Sequence, residues 1–297
     1  MICKHIFKKY NYCFYIVQTF YIIIMSYSSD MSLVIDNKLP DNNLINDKHD
    51  DVDNDEVDNK NNNSHAEGTN TTALGGYFYT EDSDTEASGD YSHAEGKNTT
   101  ASGKCSHAEG NETKAEGDCS HAEGCATTAS GFFSHSEGII TTASGSSSHS
   151  EGTGTEASGK CSHAEGYAST ASGSFSHGEG FNTLAEGDCS HAEGINTIAK
   201  GKCSHAGSYY TIADYDNMTA IGKYNISNDD ELMTIRKNKL FVVGNGDEKN
   251  RMDAFIITEK GDVFIQHDLH IDNDLIIKGD LYVNGVIHCK KIIEDVK

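Results

Sequence analysis

Small residues recur at a fixed spacing along the middle of the chain, and this pattern predicts the architecture. Ala, or in places Ser or Gly, is followed two residues later by Gly at nearly every seventh position from Ala66 to Ala220. Every second heptad has the form SHAEG, which places a histidine every fourteen residues from His65 to His205, except at Tyr79. A fixed period of this kind is typical of stacked structural repeats. The repeating unit is therefore fourteen residues long and consists of two related heptads.

The heptads cannot form helices. A Gly at every seventh position costs a helix about 1 kcal/mol each, and a coiled coil needs Leu or Ile where this chain has small residues. Short strands with alternating faces fit the pattern, since in residues 105–110 Ser, Ala and Gly lie on one face and Cys, His and Glu on the other. With the small face inward, the sequence predicts an all-β fold, a parallel β-roll or β-solenoid of 14-residue coils.

Two columns of equivalent positions refine this prediction. A hydroxyl residue, Thr or once Ser, occurs in every unit from Thr71 to Thr211, and we expect these hydroxyls to bond along the stack. The position two residues before each His is mostly apolar, whereas the equivalent position of the other heptad is more polar. The apolar members, which we expect to form an oligomer seam, are Tyr91, Cys105, Cys119, Phe133, Cys161, Phe175, Cys189 and Cys203. Because thin coils bury little surface alone, we hypothesise that the SHAEG strands face an oligomer axis and the other strands face solvent.

Composition supports a stacked backbone rather than a conventional core. Only 36% of the 297 residues are hydrophobic and 8% are aromatic, which is too few along the repeat for a core of Leu, Ile and Phe. The formal net charge is -23, and nucleic-acid binding needs clustered Lys and Arg. We therefore expect no nucleic-acid partner.

The segments before the repeat differ from it in composition. Residues 1–25 contain an apolar stretch after three lysines, which is typical of a signal peptide or a marginal membrane anchor; alternatively, translation starts at Met25 or Met31 and the segment is an artefact. A membrane is expected as a partner only through residues 1–25. Residues 26–63 are rich in Asp and Asn and predict a disordered linker. A calcium-binding EF-hand loop is not expected there, because its Gly and its final Glu are missing.

The C-terminal region, residues 223–297, predicts short strands. Runs such as KLFVVG and DAFIITEKGDVFIQ alternate apolar and polar residues, and turns are expected at Gly261, Gly279 and Gly285. We expect hairpins that form a cap or stalk at the end of residues 64–222, because stacked repeats need a protected terminal edge.

The histidines and glutamates of the repeat are the candidate chemical groups. Ser92 and His93 are neighbours on a strand and face opposite ways, and the Pro-Cys-x-x-Cys partner of zinc deaminases is missing. We therefore expect no catalytic residues and no cofactor, and assign structural repeat columns to His93, Glu95, His107, Glu109, His121, Glu123, His163, Glu165, His191 and Glu193.

Two alternatives stay open for these columns. His and Glu share a face in every unit, so that they either bind metal or simply pair with each other. In both cases buried histidines would become charged in acid and loosen the assembly. The nine cysteines allow stacked disulfides, as between Cys105 and Cys119, although small buried apolar side chains are the favoured interpretation.

The heptads of the form xxSxAxG resemble the head repeats of YadA-like trimeric autotransporter adhesins, the Hep_Hag repeat, over about residues 64–222. This resemblance implies a left-handed parallel β-roll that trimerises. The chain departs from the family in carrying His93 and Glu95 where an apolar pair usually flanks Ala. The SHAEG form is also similar to repeats of bacteriophage tail-fibre and neck-appendage proteins, where a segment like residues 240–265 often follows.

The resemblance implies a structural and adhesive function. We expect a non-catalytic fibre head on a virion or cell surface, a homotrimer that contacts a host or surface partner. A metal-binding or autoprocessing tail appendage is the alternative. We do not expect the autoproteolytic module of some phage proteins, because too few residues follow residue 285 in this sequence. An intracellular scaffold is expected if translation starts at Met31.

Overall fold

A computed structural model describes residues 65–66, 69–74, 77–227, 238–272 and 274–287. The described residues form strands and turns without a helix. None of them forms a helix long and apolar enough to cross a membrane. The predicted N-terminal segment and acidic linker, residues 1–25 and 26–63, lie outside the described residues.

The strands form two sheets. The first sheet contains, in order, His65–Ala66 (β1), Tyr79–Thr80 (β3), His93–Lys97 (β5), His107–Asn111 (β7), His121–Cys125 (β9), His135–Ile139 (β11), His149–Thr153 (β13), His163–Tyr167 (β15), His177–Phe181 (β17), His191–Ile195 (β19), His205–Ala206 (β21), Thr219–Lys223 (β23), Lys239–Asn245 (β24), Asp253–Thr258 (β25) and Val263–Ile265 (β26). The second contains Thr72–Ala73 (β2), Glu86–Ala87 (β4), Thr100–Ala101 (β6), Lys114–Ala115 (β8), Thr128–Ala129 (β10), Thr142–Ala143 (β12), Glu156–Ala157 (β14), Thr170–Ala171 (β16), Leu184–Ala185 (β18), Ile198–Ala199 (β20) and Ile212–Ala213 (β22).

Each coil of the chain contributes one strand to each sheet. Successive strands pair in parallel with a shift of fourteen residues, so that His93 lies opposite His107 and Ala101 lies opposite Ala115. The predicted parallel β-solenoid of 14-residue coils, each made of two heptads, is confirmed.

The interior of the coils consists of small side chains. The alanines of both heptads are fully buried through most of the stack, and the serines before each histidine are almost fully buried. Several of these seryl hydroxyls donate to the carbonyl oxygen three residues earlier, as Ser106 does to Gly103 at 2.7 Å. Burial therefore alternates from the Ser to the Glu of each SHAEG segment, and Ser and Ala face inward. The prediction is wrong for the following Gly, which is half-buried or exposed, as Gly110 is.

Most described hydroxyls of the threonine column do not bond along the stack as predicted; the Ser169 hydroxyl does, since it donates to the Gly180 carbonyl of the next coil at 3.2 Å. Thr141 and Thr155 instead pair with the hydroxyls of Ser136 and Ser150 of their own coils, at 2.8 Å in both cases. At several other positions of the described column, including Thr99, the hydroxyl has no hydrogen-bond partner. The carbonyl and amide groups of adjacent coils already bond to each other, so that the column is fixed by space rather than by hydroxyl bonds.

The proposed seam residues lie at corners of the coil and not on the strands. Their φ angles, for example 55° at Cys105 and 56° at Phe133, are left-handed, and Tyr91 has the largest at 63°. The prediction that they share the strand face of His and Glu is therefore wrong. A flat coil of fourteen residues must reverse direction twice, and the residue two before each histidine makes one of these turns. The equivalent residue of the other heptad, such as Ile140 at φ 56°, makes the other.

The cysteines of these corners are exposed and free within the chain. The prediction that they are small buried side chains is wrong for the single chain, because a corner residue in the left-handed region points its side chain away from the coil. The corner backbone nevertheless joins the coils, since the Cys105 amide donates to the Asp90 carbonyl at 2.7 Å.

After the last coil the first sheet continues with larger residues. Strand β24 pairs in parallel with β23, and β25 and β26 follow in antiparallel order. The Lys239 ammonium lies 2.8 Å from the Asp253 carboxylate, with 5% and 0% of the two side chains exposed. The side-chain amide of Asn225 bonds both the N–H and the carbonyl of Ile212, and so takes the place of a further strand beside β22.

The hairpins predicted near Gly279 and Gly285 are not found among the described residues. The hairpin of β25 and β26 does turn at Gly261, whose φ is +82°. Residues 266–272 and 274–287 contain no paired strand and bend at six-residue intervals. Their sequence explains this, because it repeats every six residues as DLHIDN, DLIIKG and DLYVNG from Asp268.

Candidate functional site

The most regular chemical feature of the fold is a stack of imidazole rings on the outer face of the first sheet. We define the histidine ladder as His93, His107, His121, His135, His149, His163, His177, His191 and His205. Neighbouring rings lie 4.6–5.1 Å apart between centroids, with interplanar angles of 1–11°. The Tyr79 ring meets the first imidazole edge-on at 4.8 Å. The stack follows from the exact fourteen-residue register, because equivalent side chains are superimposed at the strand spacing.

A column of carboxylates runs beside the rings. We define the glutamate ladder as Glu95, Glu109, Glu123, Glu137, Glu151, Glu165, Glu179 and Glu193. The Nε2 atoms of the histidines lie 3.2–3.7 Å from carboxylate oxygens in eight pairs. About a third of each side chain is exposed in these pairs, and the prediction that the two residue types share a face is confirmed.

The pairing changes partner once along the ladder. Up to His121 each imidazole pairs with the glutamate of its own coil, and from His149 onward each pairs with the glutamate of the preceding coil. Among the described residues, His135 is the ladder member without a carboxylate within ion-pair distance. The two ends of the ladder impose these opposite choices.

At the first end, Glu81 accepts a hydrogen bond from the Tyr79 hydroxyl, which leaves His93 to pair with Glu95. At the other end the coil of His205 has Gly207 where the repeat has Glu, so that His205 must pair with the preceding coil. One unpaired histidine between these ends is a necessary consequence.

Four histidines of the ladder are held toward the neutral form. Partial burial, and secondly the neighbouring imidazoles, lower the pKa of His121, His149 and His177. The pKa of His93 is lowered by the same two causes, burial first. A neutral imidazole has one nitrogen that accepts a proton or a metal ion.

The carboxylates of the glutamate ladder crowd each other. Hydrogen bonds shared with the carboxyls above and below raise the pKa of Glu137 and Glu165 to about 7. The same shared bonds lower the pKa of the intervening Glu151. Like charges at one strand spacing are unfavourable, and every second carboxyl of this part of the ladder therefore takes up a proton more readily than its neighbours.

All ten residues assigned from the sequence to structural columns belong to these two ladders. The remaining members, such as His135 and Glu151, carry the same motif and complete the stack. The seam residues lie elsewhere, at the exposed corner that precedes each strand. The sequence interpretation missed the change of partner, the left-handed corners and the six-residue repeat. Tyr79 and Gly207 signalled the change of partner, and the spacing of Leu269 and Leu275 signalled the six-residue repeat.

The arrangement favours binding over nucleophilic chemistry. The serine beside each histidine points into the coil, and hydroxyls such as that of Ser134 donate to backbone carbonyls, so they do not meet the imidazoles. The glutamate ladder borders an open groove lined by Glu109, Glu123, Glu137 and Glu151 and by the glycines that follow the last three. Its carboxylates are accessible to small cations. No family model matches the sequence, and no curated protein matches it.

Proposed function

We propose that this chain is a non-catalytic fibre protein, a homotrimer whose acidic rod is displayed on a virion or cell surface and contacts a surface partner. The observation that carries the proposal is the six-residue repeat of residues 268–287, which we call the hexad segment. Its apolar side chains have no covering partner among the described residues, although their spacing is strictly regular.

The exposure of the hexad segment repeats with its sequence. The leucines at its second position, Leu269, Leu275 and Leu281, are 61–62% exposed, and the residues two positions later, Ile271, Ile277 and Val283, are 42–45% exposed. A chain that bends identically every six residues presents identical apolar edges along its length. Identical copies of the segment can therefore pair with it in the same register throughout.

The energy available is sufficient for association. Full burial of one such side chain contributes about 1.5–3 kcal/mol, so covering the exposed half of six contributes roughly 5–9 kcal/mol per chain. Association costs an estimated 4–15 kcal/mol in translational and rotational freedom, and each further copy adds its own buried surface. Three short segments together can exceed this cost.

The solenoid supports the rod part of the proposal. Its coils are joined by continuous parallel sheets and contain interior side chains too small to rearrange. The formal net charge of -23 gives the chain an acidic surface. The resemblance to adhesin heads and phage fibres supports the trimeric state and the surface location.

The oligomeric state of the full chain is the first test. Sedimentation equilibrium is expected to give three times the 32.2 kDa of one chain. The double substitution Leu275→Asp and Leu281→Asp is expected to give a monomer with an unchanged far-ultraviolet circular dichroism spectrum of the solenoid. The matched control is Leu74→Asp, because Leu74 is 53% exposed outside the hexad segment.

Three outcomes separate the alternatives. A wild-type monomer contradicts the trimer. A trimer that survives the double substitution shows that the hexad segment is not the interface and directs attention to the corner residues. For the surface location, an antibody against the full chain should label the outside of the particle or cell that encodes it, whereas internal label would favour an intracellular scaffold.

A further inference from the structure

Six of the eight His–Glu pairs are too far apart for the hydrogen bonds that His and Glu usually form, whereas His191–Glu179 and His205–Glu193 do bond, at 3.3 and 3.2 Å. A hydrogen bond between a charged donor and a carboxylate spans about 2.7–2.9 Å. Of the pairs, His107–Glu109 and His149–Glu137 lie at 3.7 Å, and His163–Glu151 at 3.4 Å. These Nε2 atoms are shielded from solvent and have no hydrogen-bond partner. The ladder therefore holds acceptor nitrogens that direct pairing does not satisfy.

The same distances suit a shared metal ion. Zinc binds imidazole nitrogen and carboxylate oxygen at about 2.0–2.2 Å in tetrahedral geometry, which places two ligand atoms about 3.3–3.6 Å apart. The pairs at 3.2–3.7 Å span this separation without moving the backbone. A third ligand comes from the adjacent coil.

The structure repeats these three-ligand groups along the stack. In each of the following five groups, one ligand atom from every residue lies within 4.8 Å of the others: His107, Glu109 and His121; His121, Glu123 and His135; Glu137, His149 and Glu151; Glu151, His163 and Glu165; His177, Glu179 and His191. Rotation about the side-chain torsions of a glutamate that moves its carboxylate by about 1 Å is enough to bring the three ligand atoms around one ion.

Charge and access favour a cation at these positions. Stacked carboxylates repel each other at one strand spacing, and a divalent ion between two of them removes the repulsion. The residue after each ladder glutamate is glycine, so no side chain covers the groove above Glu123, Glu137 and Glu151. The backbone requires this glycine independently, since the φ of Gly138 is +109° and an added Cβ would meet a carbonyl oxygen at 2.2 Å.

We infer that the ladders bind zinc or a chemically similar first-row divalent cation, each ion held by one or two ladder histidines and one or two ladder glutamates. Imidazole selects such ions over calcium and magnesium, which prefer oxygen ligands alone. Neighbouring groups share residues, as the two groups around Glu151 do. A shared residue binds one ion at a time, so the five groups accommodate about three ions per chain. This inference goes beyond the fibre function and does not depend on the trimer.

The test uses the full chain with its exposed cysteines alkylated, because free thiolates would also bind zinc. Equilibrium dialysis against Zn²⁺, followed by elemental analysis, gives the number of ions. The triple substitution Glu137→Gln, Glu151→Gln and Glu165→Gln is expected to remove about one ion per chain, because these glutamates form the two groups that share Glu151. The matched control is Glu112→Gln, Glu156→Gln and Glu186→Gln, which changes three exposed glutamates outside the ladder and should leave binding unchanged.

A second measurement keeps the inference testable if the triple variant does not fold. Zinc should shift the imidazole NMR resonances of His149 and His163 in the wild-type chain, whereas those of exposed His270 should not change. Cobalt in place of zinc should give the intense visible absorption of tetrahedral coordination. Equal zinc binding by the ladder variant and the control, or unchanged resonances of the two ladder histidines, would overturn the inference.

Discussion

Substitution of Gly131 by Ala tests whether backbone contact between coils fixes the small residues of the repeat. The added methyl would lie 2.0 Å from the carbonyl oxygen of Gly145 and 2.6 Å from its carbon, both backbone atoms that cannot rotate away. Separating the coils weakens three hydrogen bonds to the next coil: the Gly131 and Ser130 amides to the Ala143 carbonyl at 3.1 and 2.9 Å, and the His135 amide to the Ser148 carbonyl at 2.9 Å.

The expected cost is about 4–6 kcal/mol, from roughly 1 kcal/mol for each hydrogen bond and 1–3 kcal/mol for overpacking. At about 2–4 °C per kcal/mol for a domain of this size, the unfolding temperature should fall by about 8–24 °C. Circular dichroism of the full chain during thermal and urea unfolding measures the change. Hydrogen exchange should show the loss of protection first in the coils next to residue 131, because each coil of a solenoid contacts only its neighbours.

The control is Gly154→Ala, at a corner with φ +65° and no atom within 4 Å of the added methyl. The same corner of neighbouring coils already carries Ala126 and Ala168 at φ 55° and 52°. This substitution should cost about 1 kcal/mol, the usual left-handed penalty. If Gly131→Ala were no more destabilising than Gly154→Ala, close packing between coils would not be the reason for the glycine.

Three further predictions concern charged groups. Gly207→Glu supplies a ninth ladder carboxylate and should let every histidine pair within its own coil. The Nε2 resonance of His135 should then shift in NMR spectra, and the free energy of unfolding should not fall. With metal chelated, the unfolding temperature should rise as the pH falls through about 7, where Glu137 and Glu165 bind protons first in the folded chain. It should then decline below the ordinary histidine value of 6.5, because the lowered pKa of four ladder histidines, which outnumber these two glutamates, makes the unfolded chain bind more protons; a monotonic profile would contradict this balance. Lys239→Met leaves the carboxylate of β25 buried without its cation and should cost about 3–5 kcal/mol in urea unfolding, against little change for an exposed lysine.

The coil itself could be predicted from the sequence because its interior positions accept only very small side chains. An alanine such as Ala108 is fully enclosed, and a backbone carbonyl meets the position of any added Cβ at Gly117. Such sites restrict the side chain to one or two types, and the restriction appears as an uninterrupted period. The fold class and the inward face therefore follow from spacing alone.

The corners could not be predicted because their side chains are free to vary. Residues as different as Cys105, Phe133 and Ile140 adopt the same left-handed conformation, although it usually favours Gly or Asn. A hydrogen bond from the corner amide to the preceding coil holds the backbone, so that the type of side chain does not indicate the turn. An alternation rule that ignores this turn places the apolar corner residues on the strand face by mistake.

The hexad segment escaped prediction for a related reason. Apolar residues that alternate with polar ones, as in residues 274–277, fit a hairpin strand as well as a six-residue repeat. The two interpretations differ in where the partner strand comes from. A hairpin finds it within the chain, whereas the hexad segment has none among the described residues.

The unpaired position of the ladder shows what a repeat leaves undetermined. The Tyr79 hydroxyl bonds Glu81, the glutamate that precedes the ladder, and Gly207 stands where the coil of His205 would have a glutamate. Nine histidines therefore share eight carboxylates. The sequence thus requires one unpaired histidine but does not choose it. Moving the vacancy from His135 to a neighbouring rung exchanges one pair for an equivalent pair and preserves the total of eight. The two arrangements have nearly equal free energies, and a cation that takes ligands from adjacent coils satisfies either of them.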